Sequence, residues 1–162
     1  KSGEQIAAFA ARMKKIDIIP EYSFVLGMPA PSAKEVDAQI DFDIKFIKKI
    51  KRINPETEIV IYTYSPVPAE GSDLMKQVTE KGFAFPQKLE DWISPAWENF
   101  DLRKNPLTPW LMPSMIDKIK NFETVLNGYY PTVTDIRLND FKRRAIHAVA
   151  GLRYKNTLHQ SP

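Results

Sequence analysis

The chain has 162 residues, 43% of them apolar and 27% charged, with a net charge of +3. Those proportions exclude wholesale disorder and suit one ordinary domain with its own core. The charge is too mild to argue for nucleic acid, and no apolar run approaches the ~20 residues of a membrane span. With no cysteine, this chain holds no disulfide, no thiolate nucleophile and no cysteine-ligated zinc or iron–sulfur centre. Two histidines, His147 and His159, leave little for a metal site or a catalytic triad. The opening Lys1-Ser2-Gly3-Glu4 has no signal-peptide apolar region, so it reads as the interior of a longer cytoplasmic protein already entering a helix.

Ser2 and Gln5 have capping-box spacing, and Ile6, Phe9, Ala10 and Met13 then recur at helical intervals, predicting a helix to about Lys15. Glu21 to Leu26 is short, β-prone and apolar, and Gly27-Met28-Pro29 stops it; this is a strand. Ser32 with Glu35 repeats the capping box and opens a long helix to Ile53. Val36, Ile40, Ile44 and Ile47 form its apolar stripe, broadened by Phe46, Ile50 and Ile53. Its acids (Glu35, Asp37, Asp41, Asp43) come early and its bases (Lys48, Lys49, Lys51, Arg52) late, which complements the helix dipole. Asn54-Pro55 ends it, Glu58 to Tyr64 is a second strand closed by Pro66 and Pro68, and Glu70 to Lys81 returns as a helix.

Alternation of this kind implies α/β architecture with a parallel sheet and right-handed crossovers. Parallel strands are ordinarily covered on both faces, which accounts for apolar rather than alternating runs. Two strands make too small a sheet to stand alone, so either a partner supplies more or the fold continues elsewhere. Residues 1–81 form this βα part. From Gly82 to Pro113 the texture changes: five of the 13 prolines and all three tryptophans fall there, predicting an irregular segment (82–112) with a short helix near Gln87–Ile93. A helical extension (113–155) follows. Met115, Ile119, Phe122 and Leu126 mark one helix with Gly128 as its stop, and Leu138, Phe141, Ala145, Val149 and Leu152 mark the last. Residues 156–162 read as a frayed tail.

Tyr22-Ser23-Phe24-Val25-Leu26-Gly27-Met28-Pro29 resembles the fifth strand and following turn of radical S-adenosylmethionine enzymes. Ser32 to Val36 resembles the next helix start, and Ile61-Tyr62-Thr63-Tyr64-Ser65-Pro66, running on to Leu74, looks like the sixth strand with its tyrosine and proline turn. Lys1 to Ile6 is similar to the helix before the fifth strand, so the resemblance covers roughly residues 1 to 81. The Pro- and Trp-rich segment with two trailing helices is similar to the C-terminal extension of the cobalamin-binding (vitamin B12-binding) members. The resemblance implies the last βα units of a partial parallel (βα) barrel. In the parent protein it implies S-adenosylmethionine, a four-iron, four-sulfur (4Fe-4S) cluster held by C-x-x-x-C-x-x-C, and possible use of cobalamin. Ala30 and Pro31 stand where that family usually has Gly and Glu, which puts the polar contact of that glutamate in doubt.

In parallel βα barrels, ligands meet the loops at the C-terminal ends of strands. The resemblance therefore implies that Val25, Leu26 and Gly27 lie near the adenine, with Gly27 admitting close backbone approach. The competing reading is a strand that ends in glycine for turn geometry alone. Tyr62 and Tyr64, two apart, share a strand face and either approach cofactor or substrate or pack as core, while Pro66 fixes the strand's exit. No catalytic or metal-ligating residue is assigned. Asp41 and Asp43 diverge by about 200° on their helix and read as solvated. Trp92, Trp97 and Trp110 either cap a substrate cavity or form a satellite cluster. Arg137, Lys142, Arg143, Arg144, Arg153 and Lys155 give the last helix a basic face, with His147 exposed on it.

Two functions compete on these residues. One is a fragment of a radical S-adenosylmethionine enzyme, incapable of the chemistry alone, whose partner is the N-terminal remainder of the same protein and whose small-molecule substrate is unknown. The other is a non-catalytic α/β interaction module with a basic C-terminal helix. In either case neither membrane nor nucleic acid is an expected partner, and exposed strand edges favour self-association.

Overall fold

Both capping boxes form as their spacing predicts. Ser2 N donates to Gln5 Oε1 at 2.9 Å while Gln5 N donates to Ser2 Oγ, and Ser32 and Glu35 repeat the exchange. They start α1 (Gly3–Lys15) and α2 (Ala33–Ile53). The computed structural model describes residues 2–66, 71–99, 107–131 and 140–157. Between the two helices runs β1 (Glu21–Leu26), and after α2 comes β2 (Glu58–Thr63). Then follow α3 (Asp73–Glu80), the single turns α4 (Leu89–Trp92) and α5 (Pro95–Glu98), α6 (Pro113–Tyr129) and α7 (Asp140–Lys155).

β1 and β2 pair in parallel, in register from Glu21 with Glu58 to Leu26 with Thr63. Glu58 N donates to Pro20 O before the pair and Tyr64 N to Leu26 O after it, so the ladder extends slightly beyond the strands. On one face Leu26, Ile59, Ile61 and Thr63 are buried and Tyr22 and Phe24 half-buried; α2 packs on β1 and α6 on β2. On the other face Glu21, Ser23 and Val25 are exposed and Glu58, Val60 and Tyr62 half-buried. Among the described residues, helices cover one face only, where the apolar runs predict cover on both. The residues of this second face include two glutamates and a serine, which suit water better than a helix.

The core is built on α2. Val36, Ile40, Ile44, Ile47 and Ile50 are buried in the stripe their spacing predicts, and Met115, Ile119, Phe122, Val125 and Leu126 of α6 join the same core. Each such side chain contributes roughly 1.5–3 kcal/mol through removal from water. Polar contacts set the register of α6 on α2. Lys118 Nζ reaches Asp37 Oδ1 at 2.5 Å and Asp41 Oδ1 at 3.2 Å, one helical turn apart. Asp41 is therefore paired rather than simply solvated. Asp43 is half-buried, and burial raises its carboxyl above the usual range.

Two expectations for the C-terminal helices are corrected. Gly128 does not stop α6, which runs on to Tyr129. A Cβ at Gly128 would lie 2.9 Å from Ala150 Cβ, so the glycine serves close packing with α7. In α7 the stripe Phe141, Ala145, Val149 and Leu152 faces outward, while Ala150, Gly151 and Tyr154 are buried. Small residues let the helix backbones approach, and that contact outweighs the larger apolar side chains. Leu138 and Arg137 lie outside the described residues. In the irregular segment the Trp92 and Trp97 rings meet at a tilt with centroids 4.9 Å apart, and Trp97 meets Phe83 edge-on; Phe83 is part of the main core, so this group packs on that core and forms no separate cluster.

Replacing Lys118 by Met should destabilise the protein by about 1 kcal/mol, because two partly exposed carboxylates lose a shared donor. Burial pulls the Lys118 ammonium down, but hydrogen bonds to Asp37 and Asp41 outweigh it and leave the pKa raised. The stabilisation is then complete below the usual lysine range near ~10.4 and fades as pH rises beyond it. Urea unfolding of both proteins across that range, with the difference vanishing at high pH, is the check.

Candidate functional site at the strand ends

Where β1 ends, Gly27 adopts φ +81°, a backbone region that side chains with a Cβ resist. Its carbonyl accepts a 2.9 Å hydrogen bond from the buried Trp110 indole Nε1. A Cβ at Gly27 would sit 3.0 Å from both methyls of Leu111. The segment before α6 therefore closes over the ends of both strands, and the Trp110 ring also lies 6.0 Å from that of Tyr64. Of the three tryptophans, Trp110 alone occupies this place; Trp92 and Trp97 pack against each other, with Trp97 on Phe83 of the core.

The six residues singled out by sequence divide into two groups. Leu26, Gly27 and Pro66 are buried, Leu26 completely, and Tyr64 is half-buried against Trp110. Burial raises the Tyr64 hydroxyl above its ordinary pKa. Val25 and Tyr62 are register partners on the second sheet face, Val25 48% exposed and Tyr62 half-buried. Tyr62 and Tyr64 are not equivalent, because β2 ends at Thr63 and Tyr64 turns into the Trp110 contact. Val25 also lines a groove of about 620 Å³ with Met28, Glu35, Phe42 and Asp43, running from the end of β1 along α2. Near the closed end, the buried hydroxyls of Thr63 and Thr108 have no hydrogen-bond partner among the described residues.

The opposite ends of the strands carry a feature that sequence reasoning missed. Lys51 is 3% exposed, and its Nζ donates to Pro55 O at 2.6 Å and Thr57 O at 2.7 Å. It lies 4.5 Å from the Tyr130 ring centroid. One turn earlier, Lys48 Nζ donates to Tyr154 O at the end of α7 and lies over the Tyr154 ring. Tyr129, Tyr130 and Tyr154 pack together, and His147 stacks on Tyr129 with ring centroids 5.1 Å apart. His147 is exposed, as expected from sequence, with one ring face against Tyr129. A run of bases at a helix end gave no hint of this, because dipole complementation explains it equally well.

Among the described residues, no group of three or more histidine, aspartate and glutamate side chains could hold a metal ion. No helix among them is long and apolar enough to cross a membrane. Comparisons with family models, with curated proteins and with solved structures find no match for the chain.

Gly27→Ala should destabilise the fold by about 2–4 kcal/mol through left-handed strain and the clash with Leu111. Pairing it with Leu111→Ala should recover about 1 kcal/mol relative to the sum of the single changes, measured by a double-mutant cycle in urea. Burial depresses Lys51 to about 8, with Glu58 opposing the shift. Between that value and the ordinary ~10.4, the unfolded chain holds more protons than the folded one, so this term favours folding increasingly as pH rises. NMR titration of the Lys51 ε-methylene should show a midpoint near 8.

Proposed function

We propose that the chain is the C-terminal portion of a radical S-adenosylmethionine enzyme, supplying two βα units and part of the reaction-space wall to a barrel completed elsewhere in the protein. The observation that carries this reading is the parallel β1–α2–β2 unit, helices on one face and an open, partly polar face opposite. That is the cross-section expected of a barrel wall whose inner side meets ligand. The order of motifs from Ser2 to Leu74 supports the family assignment. The cobalamin-binding branch is the narrower form of the proposal, resting on the Pro- and Trp-rich segment with α6 and α7 behind it.

The chain's own residues do not fit the iron–sulfur cluster, since cysteine is absent. No step through that cluster can therefore be assigned to them. S-adenosylmethionine is a different matter. Val25 and Tyr62 stand side by side on the open face, close to the C-terminal strand ends, and offer an apolar surface and an aromatic ring to an adenine. Leu26, Gly27 and Pro66 act from behind this surface. The space left by the missing Cβ of Gly27 is taken by Leu111, so the glycine serves the closure by Trp110 and Leu111. Tyr64 holds the same closure.

A second reading, the interaction module, is favoured by one observation. α7 exposes Phe141 (82%), Val149 and Leu152 beside Arg144 and Lys155. An amphipathic face of this type accepts a partner helix or an acidic segment.

The deciding experiment uses the chain extended upstream to include the expected cysteine motif, roughly 100 to 150 residues before Lys1 if about three βα units precede it. After reconstitution with iron and sulfide, the extended protein should turn brown and bind S-adenosylmethionine by calorimetry, whereas the 162-residue chain should do neither. Tyr62→Ala in the extended protein should weaken that binding by about tenfold, the lower range for losing an aromatic platform, and leave cluster absorbance intact. An extended protein that takes up neither iron nor S-adenosylmethionine sinks the enzyme reading and favours the module.

A further inference from the structure

β1 has one edge committed to β2 and another that meets no strand among the described residues. The bonds from Glu58 N to Pro20 O and from Tyr64 N to Leu26 O show which residues point inward. By the two-residue alternation of a parallel ladder, the main-chain groups of Glu21, Ser23 and Val25 point outward. All three residues are exposed. The corresponding outward residues of β2 are Ile59, Ile61 and Thr63, all buried. The accessible strand edge is therefore that of β1.

Apolar surface accompanies this edge. Beside Tyr22 lies a groove of about 350 Å³ lined by Gln5, Ile6, Phe9 and Tyr22. Beside Val25 lies the groove of about 620 Å³, with the exposed Phe42 on its wall. The Tyr22 hydroxyl is buried with no hydrogen-bond partner among the described residues. Long exposed edges with apolar flanks template strand addition.

We propose that this edge pairs with the same edge of a second copy, antiparallel, about a two-fold axis at Ser23. The sequence of β1 is self-complementary in that register. Ser23 meets Ser23, Tyr22 meets Phe24 on the helix-covered face, and Glu21 meets Val25 on the open face, so no like charges stand opposite. The two-fold also sets the groove beside Tyr22 of one copy against the groove beside Val25 of the other, carrying Phe42 towards Ile6 and Phe9. Such an isologous contact closes on itself and yields a dimer with a four-stranded sheet rather than a fibre. The inference and the enzyme reading contend for one edge, since a barrel completed upstream would seat its preceding strand where the second copy pairs here.

Sedimentation velocity of the 162-residue chain across the micromolar range should show a monomer–dimer equilibrium. Val25→Glu places a carboxylate opposite Glu21 twice per dimer and should weaken association by roughly 2- to 30-fold. Adding Glu21→Lys turns both contacts into opposite-charge pairs and should restore it. Far-UV circular dichroism should stay unchanged, because both positions are exposed. Ser23→Pro, which removes an outward N–H and leaves the bonds to β2 in place, should give a monomer. A wild-type chain that stays monomeric overturns the proposal. So does a dimer that Val25→Glu leaves intact, or one that the second charge change fails to restore.

Discussion

Parallel strands cannot be joined by a tight turn, so the connection between β1 and β2 has to travel back along the whole sheet. In this protein that connection is α2, and nearly everything else is fastened to it. Its stripe of valine and isoleucines covers β1 and receives α6, its early aspartates hold Lys118, and its late lysines reach the end of α7 and the loop into β2. A long crossover helix of 21 residues thus becomes the central wall of the molecule. Because it lies on one side of the strands, it also decides which sheet face is buried and which is left to water.

The two ends of the strand pair are treated differently. At the C-terminal ends, Trp110 and Leu111 close over Gly27, replacing what would be an open turn by a packed contact and a buried hydrogen bond. At the N-terminal ends, Lys51 gathers two loop carbonyls beneath a tyrosine ring. A buried ammonium is tolerable there only because main-chain oxygens and an aromatic face replace part of its hydration. At the C-terminal ends the open face, the groove beside Val25 and the edge of β1 that meets no strand among the described residues come together, and those surfaces remain accessible after the core has formed.

Several elements were legible from the chain because their causes are local. A serine followed three residues later by glutamine or glutamate satisfies helix N–H groups wherever it occurs, so both capping boxes and both helix starts could be read directly. The β-prone runs of β1 and β2 likewise fall where expected, apart from Tyr64, which leaves the strand to meet a ring 46 positions later in the chain. Gly128 and the stripe of α7 show the opposite case. A glycine near a helix end and an apolar stripe each have an obvious local meaning, and contact between two helices overrode both.

Composition and spacing alone determined the α/β order, the parallel pairing, the apolar stripe of α2 and the impossibility of a cysteine-held centre within the chain. Those follow from short-range propensity, hydrophobic period and simple absence. Only the tertiary structure decided that Val25 and Tyr62 face outward while Leu26, Gly27 and Pro66 are buried, that Trp110 caps Gly27, and that Lys48 and Lys51 clamp the far end. These depend on which distant side chains fill the same space. A pairing between residues 83 positions apart leaves no periodic trace in either neighbourhood, so no reading of the chain in windows could have found it.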